Sequence, residues 1–183
     1  TTDSNHRLPI AKNKLKQNFI ASKPGEILVG DITYIDTAEG WLYLACVLDV
    51  CTRKIVGWKL RPHMTQELVS DALKMAVRRR KPLAGAIFHS DRGSQYASSS
   101  FRSVLDVFQL DQSMSRRANC YDNAMMESFF ATLKKDLIFG YQFQTREEAK
   151  RVIFEWIECH YNNERLHSGI GYLTPNEFEA RCA

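Results

Sequence analysis

Three runs rich in Ile, Val, Thr and aromatic residues follow one another early in the chain: Ile27 to Asp36, Trp41 to Val50 and Lys54 to Leu60. Ala38-Glu39-Gly40 and Cys51-Thr52-Arg53 separate them. β-branched and aromatic enrichment between short turns predicts an antiparallel meander. The period then changes. Leu68, Ala72, Met75 and Ala76 form one stripe of a helix opened by Thr65 and running to about Arg80. The apolar run Leu83 to Phe88 predicts a short buried strand that leads into His89-Ser90. A helix is expected from about Ser99 to Phe108, then a strand from Leu110 to Met114. After a loop, Ser115 to Tyr121, Asp122 is placed to cap a helix from about Asn123 to Ile138. Its stripe Met126, Phe130, Leu133, Leu137 reads as core packing. A last helix, Arg146 to about Asn162, opens on Thr145 with Glu148 three residues later, a capping-box pattern. Three consecutive strands followed by alternation predict an α/β fold, a mixed sheet covered by helices.

The length of 183 residues suits one domain, able to bury a core without a disulfide or metal staple. Residues 1–25 are expected to be a basic arm or linker, and 26–183 the compact core with a helical C-terminal extension. From Ser4 to Gly25 the chain carries Arg7, Lys12, Lys14, Lys16 and Lys23 and no acidic residue. Such a stretch is either a solvated linker or a contact for nucleic-acid phosphates. The net charge of +4 is compatible with a polyanionic partner without requiring one. Five cysteines, an odd number without a C-x-x-C pair, predict reduced thiols in a cytoplasmic protein rather than a disulfide frame or zinc module. Cys120 reads as a loop thiol. No apolar run could span a membrane, and the start has neither a signal-peptide core nor an initiator Met. That start predicts a segment of a longer protein.

Three acids stand in costly or exposed places. Asp31 lies inside the first apolar strand, Asp91 follows Ile87-Phe88-His89-Ser90, and Glu127 lies on the helix after the loop. A carboxylate in an apolar strand is costly unless it is paired, hydrogen-bonded or metal-bound. Alone, each reads as a salt-bridge, cap or turn residue. Together, three acids on separate elements could converge on hard divalent cations such as magnesium. Periodicity does not choose between Asp31 and Asp49 as the strand acid. Asp36, five residues after Asp31, is directed to the opposite face by alternation.

The segments Gly30-Asp31-Ile32-Thr33-Tyr34-Ile35, Gly40-Trp41-Leu42-Tyr43-Leu44-Ala45 and Arg53-Lys54-Ile55-Val56-Gly57-Trp58 come first. His89-Ser90-Asp91-Arg92-Gly93-Ser94-Gln95-Tyr96, Ser113-Met114-Ser115 and Tyr121-Asp122-Asn123-Ala124 follow. Glu127-Ser128-Phe129-Phe130-Ala131-Thr132-Leu133-Lys134 and Tyr161-Asn162-Asn163-Glu164-Arg165-Leu166-His167-Ser168 complete the series. In this order, over about Glu26 to Phe178, the chain resembles the catalytic core of DDE transposases of the IS-three family of bacterial insertion sequences, related to retroviral integrases. The 35 residues between Asp91 and Glu127 match the spacing that gives the D,D,35,E group its description. Departures are Leu28 where Trp is frequent, Gly30 where a polar residue is frequent, and Ala118 near a common glycine. None removes a carboxylate.

The resemblance implies a ribonuclease-H-like fold with a five-stranded mixed sheet flanked by helices. It also implies magnesium-dependent cleavage at DNA 3′ ends and strand transfer during transposition. Asp31, Asp91 and Glu127 are then the catalytic and metal-holding set, and Asp31 is preferred over Asp49. Two Mg2+ ions are implied, with Mn2+ able to substitute, Asp31 bridging them and Asp91 and Glu127 each completing one site. DNA, as element ends and target, is the implied partner, held by a homo-oligomer with no membrane role. An upstream helix-turn-helix, usual in the family, is not evident in this chain. A ribonuclease-H-like nuclease or an inactive DNA-binding remnant are the alternative readings.

Lys134 lies seven residues after Glu127 and therefore shares its helix face, whereas Lys135 points about 100° away. Lys134 is either solvated or, as the resemblance implies, a contact to end DNA. Arg165 and His167 are phosphate contacts or parts of a local helix-end network. Lys12, Lys14 and Lys16 are the arm's DNA-binding candidates. His89 is expected to be a satisfied core histidine, and Gln95, Tyr96 and Asn123 to shape loops or touch DNA.

Overall fold

The computed structural model describes residues 6–117 and 119–182, without the side chain of Cys120. The expectations for residues 1–5, for Ala118 and for the Cys120 thiol lie outside that description.

Strands β1 (Ile27–Ile35), β2 (Leu42–Asp49) and β3 (Ile55–Arg61) form the antiparallel meander. Helix α1 (Gln66–Arg80) then crosses to β4 (Ile87–Ser90), which pairs parallel with β1. Helices α2 (Ser94–Ala97) and α3 (Ser99–Val107) lead to β5 (Asp111–Met114), parallel to β4. The sheet order is β3-β2-β1-β4-β5. β1 is therefore central, and its near-continuous apolar run serves two cores. Leu28 and Ile32 pack with α1 and α3 on one face. Val29 and Ile35 face the other side, covered by α4 (Ala124–Leu133) and α5 (Arg146–Glu155). Both helices continue as π-helical turns, Lys134–Ile138 and Trp156–Tyr161. The expected helices to Ile138 and Asn162 are thus present in modified form. A final helix, α6 (Pro175–Arg181), carries a complete capping box between Thr174 and Glu177.

Two glycines permit close approaches. A Cβ on Gly57 would stand 2.2 Å from the Ala72 carbonyl, so α1 rests directly on β3 at that point. A Cβ on Gly30 would stand 2.6 Å from Phe88 Cζ. The departure from a polar residue at Gly30 therefore makes room for the buried Phe88 ring, which packs with Tyr96 and Phe101.

Three local expectations fail for physical reasons. Leu83 begins a turn rather than a strand and is 65% exposed; the strand starts at Ile87. Asp122 does not cap α4, because Asn123 holds that position, without a side-chain bond. Thr65 occupies the N-cap of α1 but makes no capping hydrogen bond. Thr145 does cap α5, accepting from Glu148 N–H at 3.1 Å. Glu148 instead accepts from Gln144 N–H and Tyr141 Oη, so the box is half formed.

The described part of the N-terminal segment lies along the core. Leu15 is buried, Phe19 and Ala21 pack beside it, and Lys14 N–H donates to Ser113 Oγ at 2.9 Å.

Candidate active site

The β1–β4 register brings two acids together. Its last parallel pair is Gly30 with Ser90, so Asp31 and Asp91 are each the next residue out. Neighbouring strands lie about 4.8 Å apart, which sets the two carboxylates side by side where β4 ends against the middle of β1. Alternation sends Asp31 toward the face of Val29 and Ile35, where α4 packs on β1 and carries Glu127.

Electrostatics register this convergence. Burial and the negative charge of Asp91, with a smaller push from Glu127, raise the Asp31 carboxyl to about 8. The Ile32 N–H, donating to Asp31 Oδ1 at 2.7 Å, opposes that rise. Partial burial also raises Glu127. Asp91 Oδ1 accepts from Gly93 N–H at 2.9 Å, which shapes the strand-end loop. Among the described residues, no three His, Cys, Asp or Glu side chains are drawn in tightly enough to cage a metal ion. The donor set nonetheless suits a hard cation: three carboxylates from three elements, with Asp31 raised by burial and by the charges of the other two. Among the described residues, two amide oxygens, Gln95 Oε1 on α2 and Asn123 Oδ1 at the N-cap of α4, are buried without a hydrogen-bond partner.

Other acids have different surroundings. Asp49 is fully buried and lies 2.6 Å from Arg80 Nε. It also accepts from the N–H groups of Gly25, Cys51 and Thr52. Burial raises its carboxyl, and Arg80 and those donors pull against that rise. Glu179 on α6 joins the network through Arg80 and through Lys54 at 2.5 Å. Asp49 is therefore a staple for α1, the β2–β3 turn and α6. Asp122 is also fully buried, and Arg116, Asn13 and Gln17 all donate to it. The Arg116 side chain holds its carboxyl well below the usual range. Sequence reasoning missed this anchor because two donors come from the N-terminal segment, about a hundred residues away.

His89 is a satisfied core histidine. It is fully buried between Ser113 Oγ at 2.8 Å and Ser115 Oγ at 3.1 Å, and desolvation lowers it to about 4. Tyr96 is core, and Gln95 Nε2 donates to the Met64 carbonyl.

The basic candidates divide. Lys12 and Lys16 are exposed, whereas Lys14 pairs with Asp111 at 2.6 Å. Arg165 lies 3.6 Å from Asp136, and neighbouring His167 packs edge-on against Tyr161. Lys134 is half-buried, with Nζ 5.1 Å from the Tyr34 ring centroid. That cation–π contact was not legible from helical spacing.

A mixed five-stranded sheet, with an acid on its central strand and others at a neighbouring strand end and on a packing helix, defines the ribonuclease-H-like class. The solved structures agree on the fold. The simian T-cell lymphotropic virus intasome in complex with PP2A regulatory subunit B56γ matches with TM-score 0.72 at 15% identity, covering 97% of this chain and 60% of that one. The HTLV-2 integrase catalytic core domain in complex with magnesium, in its dimeric form, matches with TM-score 0.64 at 13% identity, covering 87% and 99%. A sequence model described as the integrase core domain matches residues 21–120, and a second of the same description matches 109–175. The chain belongs to the integrase core domain family. It is 49% identical over 181 residues to the 31 kDa protein of insertion element IS600 from Shigella sonnei, covering 99% of this chain and 66% of that protein. It is 48% identical over 174 residues to the transposase InsF of insertion sequence IS3A from Escherichia coli K12, covering 95% and 60%. The chain thus spans less than two thirds of these relatives' length. Among the described residues, no helix is long and apolar enough to cross a membrane.

Proposed function

We propose that this chain is the catalytic core of a DDE-type transposase, a polynucleotidyl transferase that cuts DNA at the 3′ ends of an insertion sequence and joins them to target DNA. The observation that carries the reading is the β1–β4 register, which sets Asp31 at the middle of β1 beside Asp91 just past β4, on the face where α4 brings Glu127. The high identity to InsF, a transposase, supports the same chemistry.

Asp31, Asp91 and Glu127 are the residues that would hold two magnesium ions. When bound, such ions supply Lewis-acid polarisation of the phosphate and lower the pKa of an attacking water or hydroxyl. Asp31 sits at the middle of β1, a strand buried on both faces, so the sheet fixes its position. The Asp91 loop is set by its bond to Gly93 N–H, and Glu127 is presented by α4. No Ser, Tyr or Cys nucleophile is required, because water attacks in the first step and a DNA 3′-hydroxyl in the second. In the joining step, the new phosphodiester bond replaces the target bond that breaks. Lys134, with exposed Lys12 and Lys16, would meet phosphates. Lys14 and Arg165 contribute less, because each already faces an acid. A homo-oligomer on paired ends, acting beside the nucleoid in the bacterial cytoplasm, completes the proposal.

The test is incubation of residues 1–183 with a labelled oligonucleotide end, a target duplex and Mg2+ or Mn2+. The expected result is cation-dependent nicking followed by covalent joining. Hydrolysis without joined product would support a ribonuclease-H-like nuclease instead. No cation-dependent reaction would support an inactive remnant.

A further inference from the structure

The acids use the middle of β1; at its C-terminal end lies a groove of about 580 Å3 that the reaction does not explain. One wall is the tip joining β1 to β2, and the other is the segment linking α4 to α5. The two are tied together. Ala38 N–H donates to the Phe143 carbonyl at 2.9 Å, Arg146 N–H donates to Glu39 at 2.8 Å, and Arg146 Nε donates to the Trp41 carbonyl at 3.2 Å. The groove is therefore preformed. Phe143 at its floor is buried, but three of its rings are open to solvent: Tyr34 is 41%, Trp41 48% and Phe139 80% exposed. Trp41 and Tyr34 stand edge to face, with ring centroids 4.9 Å apart. Among the described lining residues Lys134 is the one cation and Asp36 the one acid, and Lys134 sits over the Tyr34 ring.

We propose that this groove stacks an unpaired nucleobase of the DNA strand whose reacting phosphate lies at the carboxylates, with Lys134 meeting that nucleotide's phosphate. This rests on the DNA-joining reading above. Exposed flat rings around one cation match the alternating π-face and charge of a single strand. Position also favours DNA over an apolar protein segment. Lys134 and Glu127 lie about 10.5 Å apart along one helix, which is roughly three base steps at about 3.4 Å. The stacked base therefore belongs within about three nucleotides of the reacting phosphate. A base paired in a duplex cannot enter, so the groove selects frayed or distorted ends.

The test uses the chain and oligonucleotide ends carrying a fluorescent adenine analogue at unpaired positions one to four from the reacting phosphate. Binding to the wild type should quench the analogue at one of these positions. Trp41→Ala and Phe139→Ala should abolish the quench and weaken binding of the unpaired end about five- to 150-fold. Binding of a fully paired duplex should not change. The loss should be the same at low and high salt, unlike that of Lys134→Ala, because stacking releases no counterions. Phe139 is so exposed that its removal leaves folding intact. Equal quenching and affinity in wild type and both variants would overturn the inference, while cation-dependent joining would leave the transposase reading standing. A change in oligomeric state with unaltered DNA binding would also overturn it, assigning the groove to a protein partner. Failure of wild type to bind or join any DNA would remove both readings.

Discussion

Asp49 and Asp31 sit on paired strands of one sheet, and their surroundings are opposite. Asp49 has a guanidinium at 2.6 Å and three backbone donors. Among the described residues Asp31 has one donor, its own neighbour Ile32, and its strongest charged neighbour is another acid. Both pay for burial, yet only Asp49 is compensated by the fold. A buried acid that the fold satisfies is a structural part; one that other acids surround needs a cation from outside. Asp122, with Arg116, Asn13 and Gln17, stands with Asp49.

The largest expected effect separates these groups by activity. Asp31→Asn, Asp91→Asn and Glu127→Gln should each lower end joining about a thousandfold or more, because metal-derived stabilisation is worth several kcal/mol. Thermal melting should show all three folded. Asp49→Asn, assayed at a temperature where it is folded, should keep most of its turnover. Near-normal joining by any of the first three would remove that residue from the site.

The next effect is on stability. Asp49→Ala leaves Arg80 buried with Glu179 and Thr52 as its remaining polar partners among the described residues. Removing one member of a buried pair costs about 3–5 kcal/mol. The low end applies here because Glu179 remains, and it corresponds to a fall of about 6–12 °C in melting temperature. An unchanged melting temperature would contradict the staple.

Asp122 predicts a smaller loss with a pH signature. Its carboxyl is held below the ordinary range, so the fold prefers the ionised form. That stability is fully present above the unfolded value, near pH 4, and is lost as pH falls through the lower folded value. Asp122→Asn should therefore cost on the order of 2 kcal/mol at pH 7, and the gap to wild type should close in acid. Denaturant unfolding from pH 7 downward checks this; a gap that widens in acid would contradict it.

Asp31 should behave with the reverse sign. Its folded carboxyl is raised to about 8, so the cation-free protein is favoured by a bound proton and loses stability as pH rises from about 4 through 8. Asp31→Asn should remove that decline, melting above wild type at pH 8–9 by a few degrees in chelator, with the two converging near pH 4. A wild-type curve flat between pH 5 and 9 would contradict the mutual repulsion.

The smallest effect belongs to Lys134. Lys134→Ala should weaken end binding about tenfold or less at low salt, and the loss should shrink as salt rises. Equal binding across the titration would return Lys134 to a packing role on Tyr34.

Elements whose signals are local were legible. The meander, α1, α3, β5 and the stripe of α4 appear where apolar period and turn residues put them. Thr174-Pro175-Asn176-Glu177 was an equally local start signal for α6 that sequence reasoning passed over. What periodicity could not supply was long-range polar pairing. Asp122 looks like a cap because its donors, Asn13 and Gln17, lie at the other end of the chain. Periodicity left Asp31 and Asp49 tied and only the resemblance preferred Asp31; in the fold the β1–β4 register sets Asp31 beside Asp91, and Arg80 claims Asp49. Leu83 misled for another reason: an apolar residue in an apolar run can still lie on a turn.

The most direct test of this contrast is thermal melting of the chain in chelator and in saturating Mn2+ or Mg2+, for wild type, Asp31→Asn and Asp49→Asn. A cation held at a hundred times its dissociation constant stabilises by about 2.7 kcal/mol, or about 5–11 °C here. Wild type and Asp49→Asn should both show that upward shift, although Asp49→Asn starts lower, and Asp31→Asn should show little or none. An equal shift in Asp31→Asn and wild type, or its loss in Asp49→Asn alone, would contradict the assignment of the cation to Asp31, Asp91 and Glu127.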